Sequence, residues 1–240
     1  MPATPTTKPY LPPHPFTSIR KTRSIIAQQL DQLCFGTSRT QYLLFSSLPP
    51  SRFTTLSLGR HDGRHTLPKC VRLTYDAGKE EMVAKLMGEA RLESSHRLLE
   101  WWIFSRARGM GMDWEELLPE VGFKEGVEGL RWDAGWWVGG SEGEVRVAII
   151  VILHLDEREI VLETWEPARD ETRTVSRSAA KQVSRTQEVC ISKNGVEGAP
   201  LVLRFEKVFG RAAGEGEGDI VFSAQDLGQW ARKVWWDDED

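Results

Sequence analysis

The chain of 240 residues predicts an α/β protein, a small mixed sheet with helices on its faces. Two segments, Ser18 to Leu33 and Leu92 to Arg106, carry apolar residues at helical spacing. Val145 to Leu153 is apolar on both faces after Arg146, the pattern of a strand covered on both sides. A tight turn then leads into Ile160, Leu162 and Thr164, which alternate with Val161, Glu163 and Trp165 as an antiparallel partner would.

Along the chain, Met1 to Phe16 hold six of the twelve prolines and no acid, a composition that predicts disorder. Ser18 to Leu33 follows as a helix with Ile26, Leu30 and Leu33 on one face, and Cys34 to Lys69 reads as an irregular basic stretch. "VRLTYDAGKEEMVAKLM" has the alternation and the Asp-Ala-Gly turn of a hairpin. The helix from Leu92 ends at Gly109 and Gly111. Leu117 to Phe123 suits a short strand, and Leu130 to Val138 a helix closed by Gly139-Gly140. That helix is expected to bury Trp136 and Trp137 against the strand after it. Pro167 to Ser184 is charged and Ser/Thr-rich, as a mobile insertion is. Strands are expected at Thr186 to Ser192, Leu201 to Val208 and Ile220 to Phe222, then a helix from Ala224 to Trp236 with Ser223 and Asp226 at its start.

Composition narrows the function classes. Three separated cysteines without a CxxC exclude a disulfide framework or zinc ribbon and suit a reducing compartment, cytoplasmic or nuclear. No stretch approaches the roughly 18 to 20 apolar residues a bilayer crossing needs, so no membrane partner is expected. The amphipathic, acid-poor N-terminus offers a mitochondrial address as the alternative. The net charge of -4 hides an asymmetry: through Tyr75 ten Lys or Arg face only Asp31 and Asp62. Nucleic acid is therefore a partner only through this basic N-terminal third.

Isolated motifs are weak. Gly139-Gly140-Ser141-Glu142-Gly143 matches GxSxG, but with helix before and strand after, the reverse of a nucleophile elbow. "GEGEGD" lacks the Lys-Ser/Thr of a phosphate loop and reads as a linker. His61 and His65 flank Gly63, which favours a loop over a metal-binding helix, and His96 and Glu100 sit one turn apart as the polar flank of a helix.

Several segments taken in order are more specific: "YDAGKEEMVAKLM", Glu120-Val121-Gly122, Asp133-Ala134-Gly135-Trp136-Trp137, "VRVAIIVIL", Glu163-Thr164-Trp165-Glu166, "GAPLVLRFEKVF" and "DIVFSAQDLGQW". Together, from Val71 to Trp236, they resemble a fungal family with a PD-(D/E)XK nuclease-like, restriction-endonuclease-like core. The resemblance implies divalent-metal chemistry, magnesium above all, in which an Asp and a Glu two residues before a Lys hold the ion. Glu120 matches that Glu and would be the metal ligand. Gly122 stands where the Lys belongs, and the Pro-Asp strand is missing. Asp113 is the only acid placed to substitute, and Lys124 lies about 13 Å beyond Glu120 at strand rise. A vestigial site of Glu120, Asp113 and Lys124 is the expectation, in a degenerate nuclease-like protein without a cofactor that keeps a binding role. The alternatives are a live nuclease using Glu120, or an interaction module presenting Trp230, Trp235 and Trp236.

The expected organisation is a Pro-rich N-terminus (1–16), a basic, partly helical extension (17–69), the nuclease-like α/β core (70–166), a flexible insertion (167–185), C-terminal strands and helix (186–236) and an acidic tail (237–240).

Overall fold

A computed structural model describes residues 11–58, 67–68, 70–88, 90–112, 119–123, 126–141, 143–168 and 183–235. The chain divides into two compact units, one spanning Pro9–Glu93 and the other running from Ser94 onward. The division therefore falls at Glu93/Ser94 and not near residue 70.

The first unit is a four-stranded sheet in the order β1-β2-β4-β3, built from β1 (Pro13–Pro15), β2 (Tyr42–Ser46), β3 (Val71–Asp76) and β4 (Glu81–Leu86). Helix α1 (Ile19–Cys34) makes the crossover between the parallel strands β1 and β2. It starts where the Ser18 hydroxyl accepts the Lys21 N–H at 3.2 Å, and it buries Thr22, Ile26 and Leu33 along one stripe. The expected hairpin is present, its turn held by Asp76 Oδ1, which accepts the N–H groups of Gly78 and Lys79.

Two expectations fail here. Residues 11–16, expected to be disordered, contain β1; residues 1–10 lie outside the described set. The stretch read as irregular holds β2 and α2 (Pro50–Leu58). Tyr42 to Phe45 is buried throughout because β2 lies between β1 and β4, a pairing with residues some forty positions later that no local pattern announces. The hairpin thus belongs to this sheet and not to one with the later strands.

The second unit carries a five-stranded sheet in the order β5-β6-β7-β8-β9. Helix α3 (Ala90–Gly109) precedes it and α4 (Val127–Gly140) connects the parallel pair β5 (Pro119–Phe123) and β6 (Ala148–His154). β7 (Glu159–Pro167), β8 (Val183–Ser192) and β9 (Gly195–Glu197) follow antiparallel. Ala148 to Leu153 is buried along its whole length, as expected of an inner strand. α4 buries Gly129, Leu130, Asp133, Ala134 and Val138 and packs on β5, β6 and β7. Its buried stripe therefore excludes Trp136, which is 47% exposed and meets Trp137 edge-on at 4.8 Å between ring centres. The expectation that both rings are largely buried is corrected: Trp136 is exposed and Trp137 half-buried.

β10 (Leu201–Leu203) pairs with β11 (Ile220–Phe222), and between them lies the short helix α5 (Phe205–Phe209). The expected strand to Val208 stops at Leu203 because the Phe205 N–H is taken by Asp219 Oδ1 at 2.8 Å, fourteen residues away. α6 (Ala224–Trp235) begins with a reciprocal cap: Ser223 Oγ accepts the Asp226 N–H at 3.2 Å, and Asp226 Oδ2 accepts the Ser223 N–H at 2.9 Å. Its apolar face buries Leu227, Trp230, Ala231, Val234 and Trp235. Trp230 and Trp235 are thus core residues, not the exposed aromatic surface an interaction module would present; Trp236, the acidic tail and residues 169–182 of the insertion lie outside the described residues. Among the described residues no helix is long and apolar enough to cross a membrane.

Candidate functional site

The sheet of the second unit places Glu120 second in β5, opposite Ile150 of β6, whose other neighbour is Glu163 of β7. Two residues on, Gly122 lies opposite Ile152 and is buried, with no side chain to offer. Asp113 and Lys124 lie outside the described residues, as do His61 and His65. Glu120 is therefore the one expected ligand whose strand position is defined.

At the centre of this sheet the organised carboxylate is Glu163, which is fully buried. An ionised carboxylate there requires partners, since an uncompensated buried charge is prohibitive. Arg131 of α4 donates from Nη2 to Oε1 at 2.6 Å and from Nε to Oε2 at 3.2 Å. Trp165 Nε1 donates to Oε2 at 2.9 Å, and Arg185 Nη1 to Oε1 at 3.1 Å. Burial alone would raise the Glu163 carboxyl, but the Arg131 hydrogen bonds and charge, with Trp165 and Arg185, hold it below its usual value of 4.5. Arg131 is raised in turn, first by its bond to Glu163.

Local irregularity aims Arg185. The ladder pairs Thr164 with Gln187 but Trp165 with Arg185, so Thr186 is an extra residue on β8. Without that bulge Arg185 would fall opposite Glu166 and turn to the other face; with it, Arg185 shares the face of Trp165 and Glu163. Thr186 spans the gap, its hydroxyl 2.9 Å from that of Thr164 and donating to Glu166 Oε1 at 3.3 Å. Glu166, also buried, accepts Arg204 Nη2 at 2.7 Å. Arg185 also bonds Glu188.

The other sequence motifs resolve into loop and helix chemistry. Ser141 caps the C-terminus of α4 and its Oγ accepts the Val145 N–H at 2.9 Å, with β6 following, so the helix-first order stands. His96 Nδ1 is 3.9 Å from Glu100 Oε2 along α3. The glycine-rich stretch is a pinned loop instead of a slack linker: Glu217 takes both Nη groups of Arg211 at 2.6 Å and the Gly214 N–H at 2.7 Å. Among the described residues no three His, Cys, Asp or Glu side chains cluster as a metal site would require.

Sequence reasoning singled out Glu163 only within a motif and missed Arg131 and Arg185. A Glu sharing one strand face with Val161 and Trp165 was the available signal, since a buried acid demands cationic partners. Comparison of the chain with protein-family models, with curated proteins and with solved structures gave no match.

Proposed function

We propose that this chain is a catalytically silent protein on a restriction-endonuclease-like core, one that has kept a binding role. The order of its elements supports the reading: β5 carries Glu120-Val121-Gly122, α4 carries Asp133 to Trp137, and the paired strands β6 and β7 end on Glu163-Thr164-Trp165-Glu166. The observation that carries it is the state of the charge at the centre of the sheet. Metal-assisted phosphoryl chemistry needs carboxylates open toward a divalent ion and a cation beside the attacked phosphate. Glu163, next but one to Glu120 across the ladder, is instead closed off by Arg131, Arg185 and Trp165. Gly122 brings nothing to the position of the lysine.

The test is a thermal melt of the full chain in millimolar magnesium or manganese, paired with cleavage assays on plasmid and single-stranded DNA, for the natural sequence and Glu120→Gln. The expected shift is below about one degree, because a site that is far from saturated adds only tenths of a kcal/mol. No cleavage is expected. A metal-dependent rise in melting temperature, or DNA cleavage, that Glu120→Gln abolishes would overturn the proposal in favour of a nuclease using Glu120, Asp113 and Lys124.

A further inference from the structure

We propose that the cleft at the C-terminal end of α5 is an oxyanion site that takes a single phosphate group. It is lined by Arg146, Glu206, Lys207, Gly210, Arg211 and Ala212 and measures about 380 Å³. It does not include the Glu163 cluster and goes beyond the function proposed above.

The cleft is built around one glycine. Gly210 closes α5 with φ of 70°, the left-handed conformation that favours glycine. A Cβ there would stand 2.5 Å from Nη1, 2.6 Å from Cζ and 2.7 Å from Nη2 of Arg146. Such near-equal approaches mean that the guanidinium meets Gly210 with its flat face. A face-on contact leaves the N–H edges of the guanidinium in their own plane, not spent on Gly210. None of these donors meets an acceptor among the described residues, and Lys207 likewise has no carboxylate partner among them. Two cations whose charge is spent on nothing described, one with a fork that fits two oxygens, outweigh the Glu206 carboxylate and suit the oxygens of one phosphate group.

The walls are fixed by groups already satisfied. Arg211 is locked to Glu217 through both Nη groups at 2.6 Å and lies over the Phe205 ring at 4.9 Å. The Arg211 hydrogen bonds, with the Gly214 N–H, draw Glu217 down to about 2, so this pair stays ionised at any ordinary pH. Among the described lining residues Glu206 is the acid on the cleft, and its carboxylate disfavours an extended polyanion over a compact ion. The ligand is therefore inorganic phosphate or the phosphate of a small monoester.

Calorimetric titration of the full chain with inorganic phosphate, against chloride at matched ionic strength, tests the site. A second arm with glycerol 2-phosphate separates the two sources: equal affinity assigns free phosphate, tighter binding assigns a monoester. Saturable binding is expected, weakened about tenfold by Arg146→Ala and by Lys207→Ala, with Arg146→Lys in between because it keeps the charge and loses the fork. Arg146 is exposed, and Arg146→Gln is a second variant if Arg146→Ala does not fold. No saturable binding above the chloride control, or binding unchanged in Arg146→Ala and Lys207→Ala, would overturn the proposal.

Discussion

Arg131 on α4 and Glu163 at the centre of β7 form a two-point ion pair, 2.6 Å between Nη2 and Oε1, that fastens the crossover helix to the sheet it spans. The Glu163 side chain is fully buried while the Arg131 side chain is 27% exposed. Removing the arginine strands the buried charge on Arg185 and Trp165 alone. Arg131→Met is expected to cost about 2 kcal/mol in urea unfolding, less than a fully buried pair would because Arg131 reaches solvent. A midpoint equal to that of the natural sequence would mean that the pair does not hold the helix.

The same carboxylate sets an acid limit. Its folded value lies below 4.5, so the stability it confers is complete above the unfolded value and is lost as pH falls through the folded one. Unfolding free energy should therefore decline below about pH 4.5. Glu163→Gln, if folded, should flatten that part of the profile; an unchanged acid slope would assign the loss to other carboxylates.

Tryptophan substitutions should separate into two groups. Trp165 and Trp230 are fully buried, and truncating either to alanine should cost about 3 to 5 kcal/mol. Trp136→Ala removes a ring that is 47% exposed and should cost under about 1 kcal/mol. Denaturant midpoints read both, and a Trp136→Ala loss as large as that of Trp165→Ala would place the outer face of α4 in an interface.

Gly198, with φ of 78°, sits where a Cβ would come within 2.3 Å of the Glu188 carbonyl oxygen. That oxygen and the other atoms the Cβ would meet, Glu188 C and Val189 Cα, are backbone of β8 and cannot yield cheaply. Gly198→Ala should cost about 2 kcal/mol or more by urea unfolding. A loss under about 0.5 kcal/mol would show that the β9 end of the sheet shifts freely.

Cys190 should be a slow thiol. Burial, followed by the hydrogen bond and charge of Glu159, pushes it up to about 11, leaving on the order of one molecule in a thousand as thiolate at pH 8. Alkylation followed by peptide mass mapping should show Cys190 lagging far behind the exposed Cys34, with a rate that climbs as pH approaches 11. Glu159→Gln should accelerate it only in part, since burial is the larger cause. Equal rates for the two cysteines at pH 8 would contradict this.

Local chemistry by itself determined the elements that carry their own signals. The stripe of Ile26, Leu30 and Leu33, the Ser223 cap, the Asp-Ala-Gly turn after Tyr75 and the apolar run through Ile149 to Leu153 located α1, α6, the β3–β4 hairpin and β6, because neighbours in sequence are partners in those structures. Tertiary structure decided whatever depended on distant partners. Tyr42 to Phe45 became β2 by pairing with Met82 to Lys85, which also moved the boundary between the two units to Glu93/Ser94. Asp219 turned the expected strand after Leu203 into α5. The Thr186 bulge brought Arg185 onto Glu163, and the pitch of α4 brought Arg131 there, so an acid that alternation only placed on a strand face became the neutralised centre of the sheet. A residue type and its spacing record periodicity, whereas the partner of a buried charge is set by which distant segments close over it.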